Sequence, residues 1–142
     1  MLIGLDPLLT PDLLHALASM GHGDTIALVD ANYPATRSRR QVALPGVGIG
    51  AALHAVLTVL PLDNFVAAPA QVMLPSSDAL PSAVEEINAV LHRHGAAEAA
   101  GLGRHEFYEA AEQAYAVIAT GERRPYGNVL LTKGVVPADA RG

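Results

Sequence analysis

The stretch Thr25-Ile26-Ala27-Leu28-Val29-Asp30 decides the fold, because an apolar run that ends in a carboxylate indicates a buried strand followed by a loop. In open α/β sheets, ligands bind where the carboxyl ends of the strands meet such loops. The loop after this strand is Ala31-Asn32-Tyr33-Pro34-Ala35, and the turn before it is Gly21-His22-Gly23-Asp24. One short strand therefore has a histidine and two carboxylates around it.

These side chains predict proton-transfer chemistry on a polar molecule. An imidazole exchanges protons near neutral pH, and a carboxylate can hold a hydroxyl group. We therefore expect His22 and Asp30 to face one pocket, and Asp24 to be structural, stabilising the amides of its turn. The alternatives are that His22 is satisfied by a backbone carbonyl group and that Asp30 caps the loop 31–33.

Strands and helices alternate along the rest of the chain. Thr10-Pro11-Asp12 begins a helix that runs to Met20, where Gly21 ends it. The other predicted helices span 49–60, 82–94 and 104–114, and the other predicted strands span 41–44, 71–74, 96–103, 115–120 and 128–133. This alternation predicts an α/β fold, a three-layer α/β/α sandwich with a mainly parallel central sheet. The length suits one core, so residues 1–142 are expected to form a single domain.

The composition excludes several classes of function. The net charge is −5 and no long basic tract is present, which argues against a nucleic-acid partner. The chain has no cysteine, which excludes disulfides, thiolate catalysis and cysteine-ligated zinc. No apolar run has membrane-spanning length and the N-terminus lacks a signal-peptide pattern, so we expect a cytoplasmic protein without a membrane partner. Charged residues make up only 16% of the chain, which predicts surface buried between subunits of a homo-oligomer.

A second group of polar residues lies between the last two predicted strands, in the segment 120–128. Tyr126 and Asn128 each offer a donor and an acceptor, which suits vicinal hydroxyl groups, and Gly127 exposes its backbone amide. The alternative is a simple turn in which Asn128 caps a strand. Arg104, at the start of a predicted helix, has the fixed donors that bind ring and hydroxyl oxygens, although such an arginine can also be a solvated surface charge. Phe107 and Tyr108 are expected in the core or in an interface.

Two further patterns bear on cofactor and metal binding. Gly46-Val47-Gly48-Ile49-Gly50-Ala51 matches the dinucleotide-binding fingerprint before a helix, with Asp78 as the acid that would bind a ribose. Against it stand Pro45, a short preceding strand and a chain too short for two nucleotide-binding halves and a substrate domain. His92 and His94 are two residues apart and do not share a helix face. We therefore expect no cofactor and no metal, and a dinucleotide-binding module remains as an alternative.

Taken together, these motifs resemble the family of L-fucose mutarotases and D-ribose pyranases. Their order and spacing match over nearly the whole chain, and the segment 67–103 matches least. The forms His-Gly-Asp, Asp-Ala-Asn-Tyr-Pro and Tyr-Gly-Asn are closer to the L-fucose branch than to the D-ribose branch. The matching pieces are the helix 11–20, the segments 20–24 and 30–35, Arg104 with Phe107-Tyr108-Glu109, Thr120-Gly121-Glu122 and Tyr126-Gly127-Asn128.

The resemblance implies an enzyme that interconverts the α and β anomers of a monosaccharide by ring opening and closure, without metal or cofactor. It implies His22 as the acid/base group, with Tyr126 as its partner at the opposite oxygen, and sugar contacts from Asp30, Arg104 and the segment Tyr126, Gly127 and Asn128. It also implies α/β subunits assembled as decamers of two stacked pentamers, or as dimers. The alternatives are a D-ribose pyranase that interconverts pyranose and furanose, and a sugar-binding accessory protein without catalysis.

Overall fold

In the computed structural model, which describes residues 1–140, the strands form a six-stranded mixed sheet. In chain order they are β1 (Thr25–Val29), β2 (Gln41–Leu44), β3 (Ala70–Met73), β4 (Ala100–Leu102), β5 (Ala116–Thr120) and β6 (Val129–Thr132). Their order across the sheet is β2-β5-β1-β6-β3-β4. The pairs β1–β5, β2–β5 and β3–β4 are parallel, and β6 is antiparallel to β1 and β3. The predicted, mainly parallel sheet is confirmed.

Helices cover both faces of this sheet, as the alternation predicted. They are α1 (Pro11–Ser19), α2 (Ile49–Leu57), α3 (Ser82–Arg93) and α4 (Arg104–Glu112), with a short 3-10 helix at Ala35–Arg37. One apolar cluster joins α1, α2 and α3 to one face through residues such as Leu13, Leu53 and Ile87. A second cluster, centred on the fully buried Phe107, joins α4 to the other face. The three-layer arrangement is therefore confirmed.

Helices α2 and α4 and strand β4 begin or end two or more residues from their predicted bounds, whereas the other helices and strands begin and end within one residue of theirs. Helix α2 ends at Leu57 instead of residue 60, because the Thr58 hydroxyl donates to the carbonyl oxygen of Ala55 at 2.6 Å and closes the last turn. Helix α4 ends two residues early, and β4 occupies only three of the eight residues assigned to it. No helix in the range 1–140 is long and apolar enough to cross a membrane.

The strand directions distinguish two opposite edges of the sheet, one at which most strands end and one at which they begin. Since β6 is antiparallel to both β1 and β3, strands β3 and β4 run in the same direction as β1 and β5. These strands end at one edge, here called the carboxyl edge, and β6 begins there because Val129 pairs with Leu28. At the opposite edge, the amino edge, β1 begins and β6 ends, with Thr25 paired to Thr132.

Candidate functional site

A cleft of about 260 Å³ lies at the carboxyl edge. Its walls come from the loop after β1, the end of β3, the first turns of α4 and the loop between β5 and β6. The lining residues are Asp30, Asn32, Tyr33, Met73, Arg104, Tyr108, Pro125, Tyr126 and Asn128. The cleft therefore collects the predicted side chains Asp30, Arg104, Tyr126 and Asn128 from three distant parts of the sequence.

The strand order explains why these residues meet. Strands β5 and β6 follow each other in the chain, but β1 lies between them in the sheet. The loop 121–128 must therefore cross the end of β1, where the backbone amide of Ala31 donates to the carbonyl oxygen of Glu122 at 2.8 Å. The same crossing lets the backbone amide of Asp30 donate to Oδ1 of Asn128 at 2.9 Å. Asn128 thus holds the loop to β1 and lines the cleft.

The Asp30 side chain is buried at the base of the cleft, with the residue only 7% exposed. Its Oδ1 accepts a hydrogen bond from the backbone amide of Asn32 at 3.0 Å, so the loop-capping alternative is also realised. Burial raises the pKa of Asp30 above its ordinary value, although hydrogen bonds from Asn32, Asn128 and the amides of Gly127 and Tyr33 oppose the rise. A desolvated carboxylate of this kind is suited to accept hydrogen bonds from hydroxyl groups of a ligand.

Tyr126 and Gly127 occupy backbone positions that few residues tolerate. Tyr126 has a φ of 61°, in the left-handed region that a tyrosine rarely adopts. Such a conformation persists only where the surrounding structure holds it, and it is common at ligand sites. Gly127 is packed so closely that a Cβ atom there would lie 2.6 Å from Cγ of Glu122. The residues around the loop therefore fix the direction in which Tyr126 enters the cleft.

Glu122 is the buried anchor of this loop, and the sequence reasoning assigned it no role. Its carboxylate accepts hydrogen bonds from the amide of Ile49 at 3.1 Å and from the amide and Nε of Arg124, both at 2.9 Å. Arg124 also pairs with Glu86 on α3. The Arg124 side chain, together with these amides, lowers the pKa of Glu122 to about 2 against the effect of burial. The loop is thereby fastened to α2 and α3.

The hydrogen bond from the Ile49 amide to Glu122 also bears on the alternative of a dinucleotide-binding module. The segment 46–51 does lead into a helix, as the fingerprint requires. However, the Ile49 amide at the N-terminus of α2, where a phosphate group would bind, already donates to the Glu122 carboxylate. Within residues 1–140, no three His, Cys, Asp or Glu side chains form a group that could hold a metal ion. That the protein uses no metal and no cofactor stays a prediction.

Arg104 and an aromatic wall form the other side of the cleft. Arg104 is the first residue of α4, and its Nε donates to the hydroxyl oxygen of Tyr108 at 3.3 Å. The ring centroids of Tyr108 and Tyr33 are 5.4 Å apart. Burial and the neighbouring Tyr108 raise the pKa of Tyr33 to about 12. Tyr108, which is expected from the sequence in the core or in an interface, instead lines the cleft. Its position four residues after Arg104, on the same helix face, is the signal that could have placed it in the cleft.

His22 lies elsewhere, at the amino edge, and does not line the cleft. Residues 24 and 30 bracket β1 and are on the order of 20 Å apart at about 3.3 Å per residue. The expectation that His22 and Asp30 face one pocket is therefore not met within one chain. His22 is half-exposed, and its Nε2 lies 3.0 Å from Oδ1 of the buried Asp63. Asp24 has the expected structural role, because its Oδ2 accepts from the amide of Gly21 at 2.7 Å.

Comparison with known proteins gives this geometry a context. The fucose mutarotase of Bos taurus is 45% identical over 142 residues, covering 94% of this chain and 93% of that protein. The crystal structure of the fucose mutarotase from Streptococcus pneumoniae in complex with L-fucose is 38% identical, with a TM-score of 0.90 over 96% of this chain and all of that chain.

A more distant structure has the same fold. The Bacillus subtilis RbsD complexed with D-ribose is 22% identical, with a TM-score of 0.78 over 96% of this chain and all of that chain. The model of the RbsD / FucU transport protein family matches residues 3–136, which is nearly the whole sequence. With a family match of this extent, the chain belongs to the RbsD / FucU family.

Proposed function

We propose that this protein is a monosaccharide mutarotase, an isomerase that interconverts the α and β anomers of L-fucose, and that residues 1–142 act as one mutarotase domain. The observation that carries the proposal is the cleft in which Asp30, Arg104, Tyr126 and Asn128 converge. The similarity to fucose mutarotases over more than nine-tenths of the chain supports the choice of reaction and sugar.

The cleft residues divide the work of binding a sugar. Asp30 accepts hydrogen bonds from hydroxyl groups, and Arg104 donates to sugar oxygens and stabilises negative charge that develops on them. Two hydrogen bonds orient the Asn128 amide. Its oxygen accepts from the backbone amide of Asp30, and its NH₂ group donates to the Asp30 carboxyl group, which lowers the pKa of that group. One N–H of Asn128 is then left for the ligand. The Gly127 amide donates to the Asp30 carboxyl group and so acts on the sugar through Asp30.

The reaction needs one group at the anomeric hydroxyl and one at the ring oxygen. The first removes the hydroxyl proton while the second protonates the ring oxygen, and the bond between the anomeric carbon and the ring oxygen breaks. The open-chain aldehyde rotates, and closure with the reverse proton movements gives the other anomer. We assign the two proton transfers to His22 and Tyr126, one at each oxygen: the unprotonated nitrogen of the His22 imidazole accepts the hydroxyl proton, and the Tyr126 hydroxyl group donates its proton to the ring oxygen. One placed acid or base is worth roughly 10²–10⁴-fold, which is useful for a reaction that is already spontaneous.

His22 can take this part only if it comes from a second copy of the chain. Within one subunit it lies at the amino edge, a strand length away from the cleft. The sparse charge of the chain and the exposed Phe65 and Val66 beside His22 are consistent with an interface there. We therefore propose a homo-oligomer in which the amino edge of one subunit completes the cleft of the next. A decamer of two pentamers or a dimer would satisfy this requirement, and the absence of cysteine suits a cytoplasmic location.

Saturation-transfer NMR tests the proposal by measuring the exchange between sugar anomers. We expect the protein to accelerate exchange of L-fucose more than that of D-ribose, and His22→Ala to abolish the acceleration while leaving the fold intact. Faster exchange of D-ribose would favour the pyranase alternative. Line broadening that shows binding, without any acceleration, would favour a sugar-binding accessory protein.

A further inference from the structure

Two histidines meet on the face of the sheet that α1, α2 and α3 cover. Nδ1 of His54, on α2, lies 2.8 Å from Nε2 of His94, at the end of α3, and the centroids of the two rings are 4.9 Å apart. The two residues are 40 positions apart in the chain. Neither of them lines the cleft, so the pair is separate from the proposed sugar site.

The strand directions explain why these histidines meet. Helix α2 follows β2 and α3 follows β3, and both strands end at the carboxyl edge. Both helices therefore run back toward the amino edge, packed against each other, with their C-terminal ends together. His54 lies in the last turn of α2, and His94 is the C-cap residue of α3. The C-terminal end of a helix carries a partial negative charge, so two such ends at one place favour a cation there.

The backbone under both imidazoles is firmly held, while the rings themselves are accessible. Val56, beside His54 in the chain, is fully buried, and so are Val90 and Leu91 before His94. The His94 amide donates to the carbonyl oxygens of Val90 and Leu91 at 3.2 and 3.1 Å. His54 is exposed and His94 is half-buried, so an ion from solution can reach the two rings.

Both facing nitrogens can act as metal ligands. The hydrogen bond between the rings uses one N–H and one lone pair. Burial, with the neighbouring His54 and Arg93, lowers the pKa of His94, so its ring is neutral at neutral pH. When the donor ring carries its proton on its other nitrogen, both facing nitrogens present lone pairs and both rings stay neutral. Neutral imidazole nitrogens bind Zn²⁺, Cu²⁺ and Ni²⁺.

The spacing of the two nitrogens suits an ion whose ligands lie at right angles. Two metal–nitrogen bonds of about 2.1 Å at a right angle place the nitrogens about 3.0 Å apart, whereas a tetrahedral angle needs about 3.4 Å. The observed 2.8 Å is closer to the first arrangement, which Cu²⁺ and Ni²⁺ prefer with nitrogen and oxygen ligands. No third His, Cys, Asp or Glu side chain within residues 1–140 joins the pair, so water would complete the coordination.

We propose that His54 and His94 form a surface site for one divalent transition-metal ion of the Ni²⁺ or Cu²⁺ type, which links the C-terminal ends of α2 and α3. The proposal departs from the prediction of no metal, which considered His94 beside His92 and not beside His54. It does not rest on the proposed function. The two ligands meet only in the folded chain, so a bound ion stabilises the folded state.

Titration calorimetry of the untagged protein with Ni²⁺ tests this site, and we expect one ion per chain. In His54→Ala and in His94→Ala, the affinity should fall at least about 10-fold, because one of two protein ligands is lost. The exposed His92, in the last turn of α3, provides the matched control, and His92→Ala should bind Ni²⁺ as the wild type does. Mg²⁺ prefers oxygen ligands and should not bind at this site. Wild-type affinity for Ni²⁺ in both His54→Ala and His94→Ala would overturn the inference.

A second measurement uses the wild-type protein alone and so does not depend on how the variants fold. Paramagnetic Cu²⁺ broadens the NMR signals of nuclei close to it. Added below one equivalent, it should broaden the imidazole signals of His54 and His94 before those of the other histidines, of which the chain has six in all. Broadening that begins at another histidine, or that affects all of them equally, would overturn the inference. Neither measurement involves sugar exchange, so a failure here is distinct from a failure of the proposed function.

Discussion

The replacement Glu122→Gln tests how the loop 121–128 is held over the end of β1. It preserves the shape of a buried side chain but removes the charge that accepts hydrogen bonds from Ile49 and Arg124. Hydrogen bonds to a charged group contribute about 1.5–3 kcal/mol each. The pKa of Glu122 falls from 4.5 to about 2, which is equivalent to roughly 3 kcal/mol at about 1.4 kcal/mol per pKa unit.

Water screens part of this interaction, because the Arg124 side chain is 39% exposed. We therefore expect Glu122→Gln to lower the free energy of unfolding by about 2 kcal/mol at neutral pH. The pKa of Glu122 is lower in the folded state than in the unfolded state. Its contribution is therefore fully present above about pH 5 and is lost as the pH falls toward about 2.

Urea unfolding at neutral pH and at about pH 3 measures both effects, at one fixed protein concentration so that assembly does not change between samples. The difference between wild type and variant should be smaller at the lower pH. Glu98→Gln, at an exposed position, is the control and should change little at either pH. A loss below about 0.5 kcal/mol, or the same loss at both pH values, would refute the reasoning.

Three further predictions concern the cleft. Arg104→Ala should raise the dissociation constant for L-fucose roughly 10- to 100-fold by removing charged donors; an NMR titration with an unchanged constant would remove Arg104 from the site. Gly127→Ala would place a methyl group 2.6 Å from Cγ of Glu122 and should cost about 1–3 kcal/mol in unfolding free energy, whereas wild-type stability would mean that the loop can yield. Asn128→Ala leaves the Asp30 amide without its acceptor, so hydrogen exchange at that amide should accelerate; unchanged protection would contradict the contact.

The sequence predicts the helices and strands of this fold better than it predicts which of them contact each other. The apolar run 25–29 and the periodic segment 82–93 carry their own signals of strand and helix, and both lie close to where they were expected. The cleft depends on β1 lying between β5 and β6, which no local pattern encodes. The residue types of Tyr126 and Asn128 identify them as candidate sugar ligands, whereas the hydrogen bond between Asn128 and the Asp30 amide depends on the strand order and could not be predicted.

The buried acids Glu122 and Asp63 could not be identified from the sequence, for related reasons. Glu122 belongs to a motif that the resemblance included, but its partner Ile49 is 73 residues away. Asp63 lies in an irregular segment after Pro61, and only its position among apolar neighbours could have indicated burial. The separation of His22 from Asp30 was in principle visible, because a strand of five residues holds its two ends far apart. Nearness of His22 and Asp30 in the chain therefore does not make them near in space.

A mixing experiment tests the central claim, that the cleft of one subunit works with His22 from another. His22→Ala and Arg104→Ala are each expected to lose L-fucose anomer exchange when assembled alone. If the two variants are co-expressed in equal amounts, roughly a quarter of the sites in a symmetric oligomer would combine an intact cleft with an intact histidine. We predict that exchange, measured by saturation-transfer NMR, returns to about that fraction of the wild-type rate. Activity no greater than the average of the two separate variants would contradict the shared site.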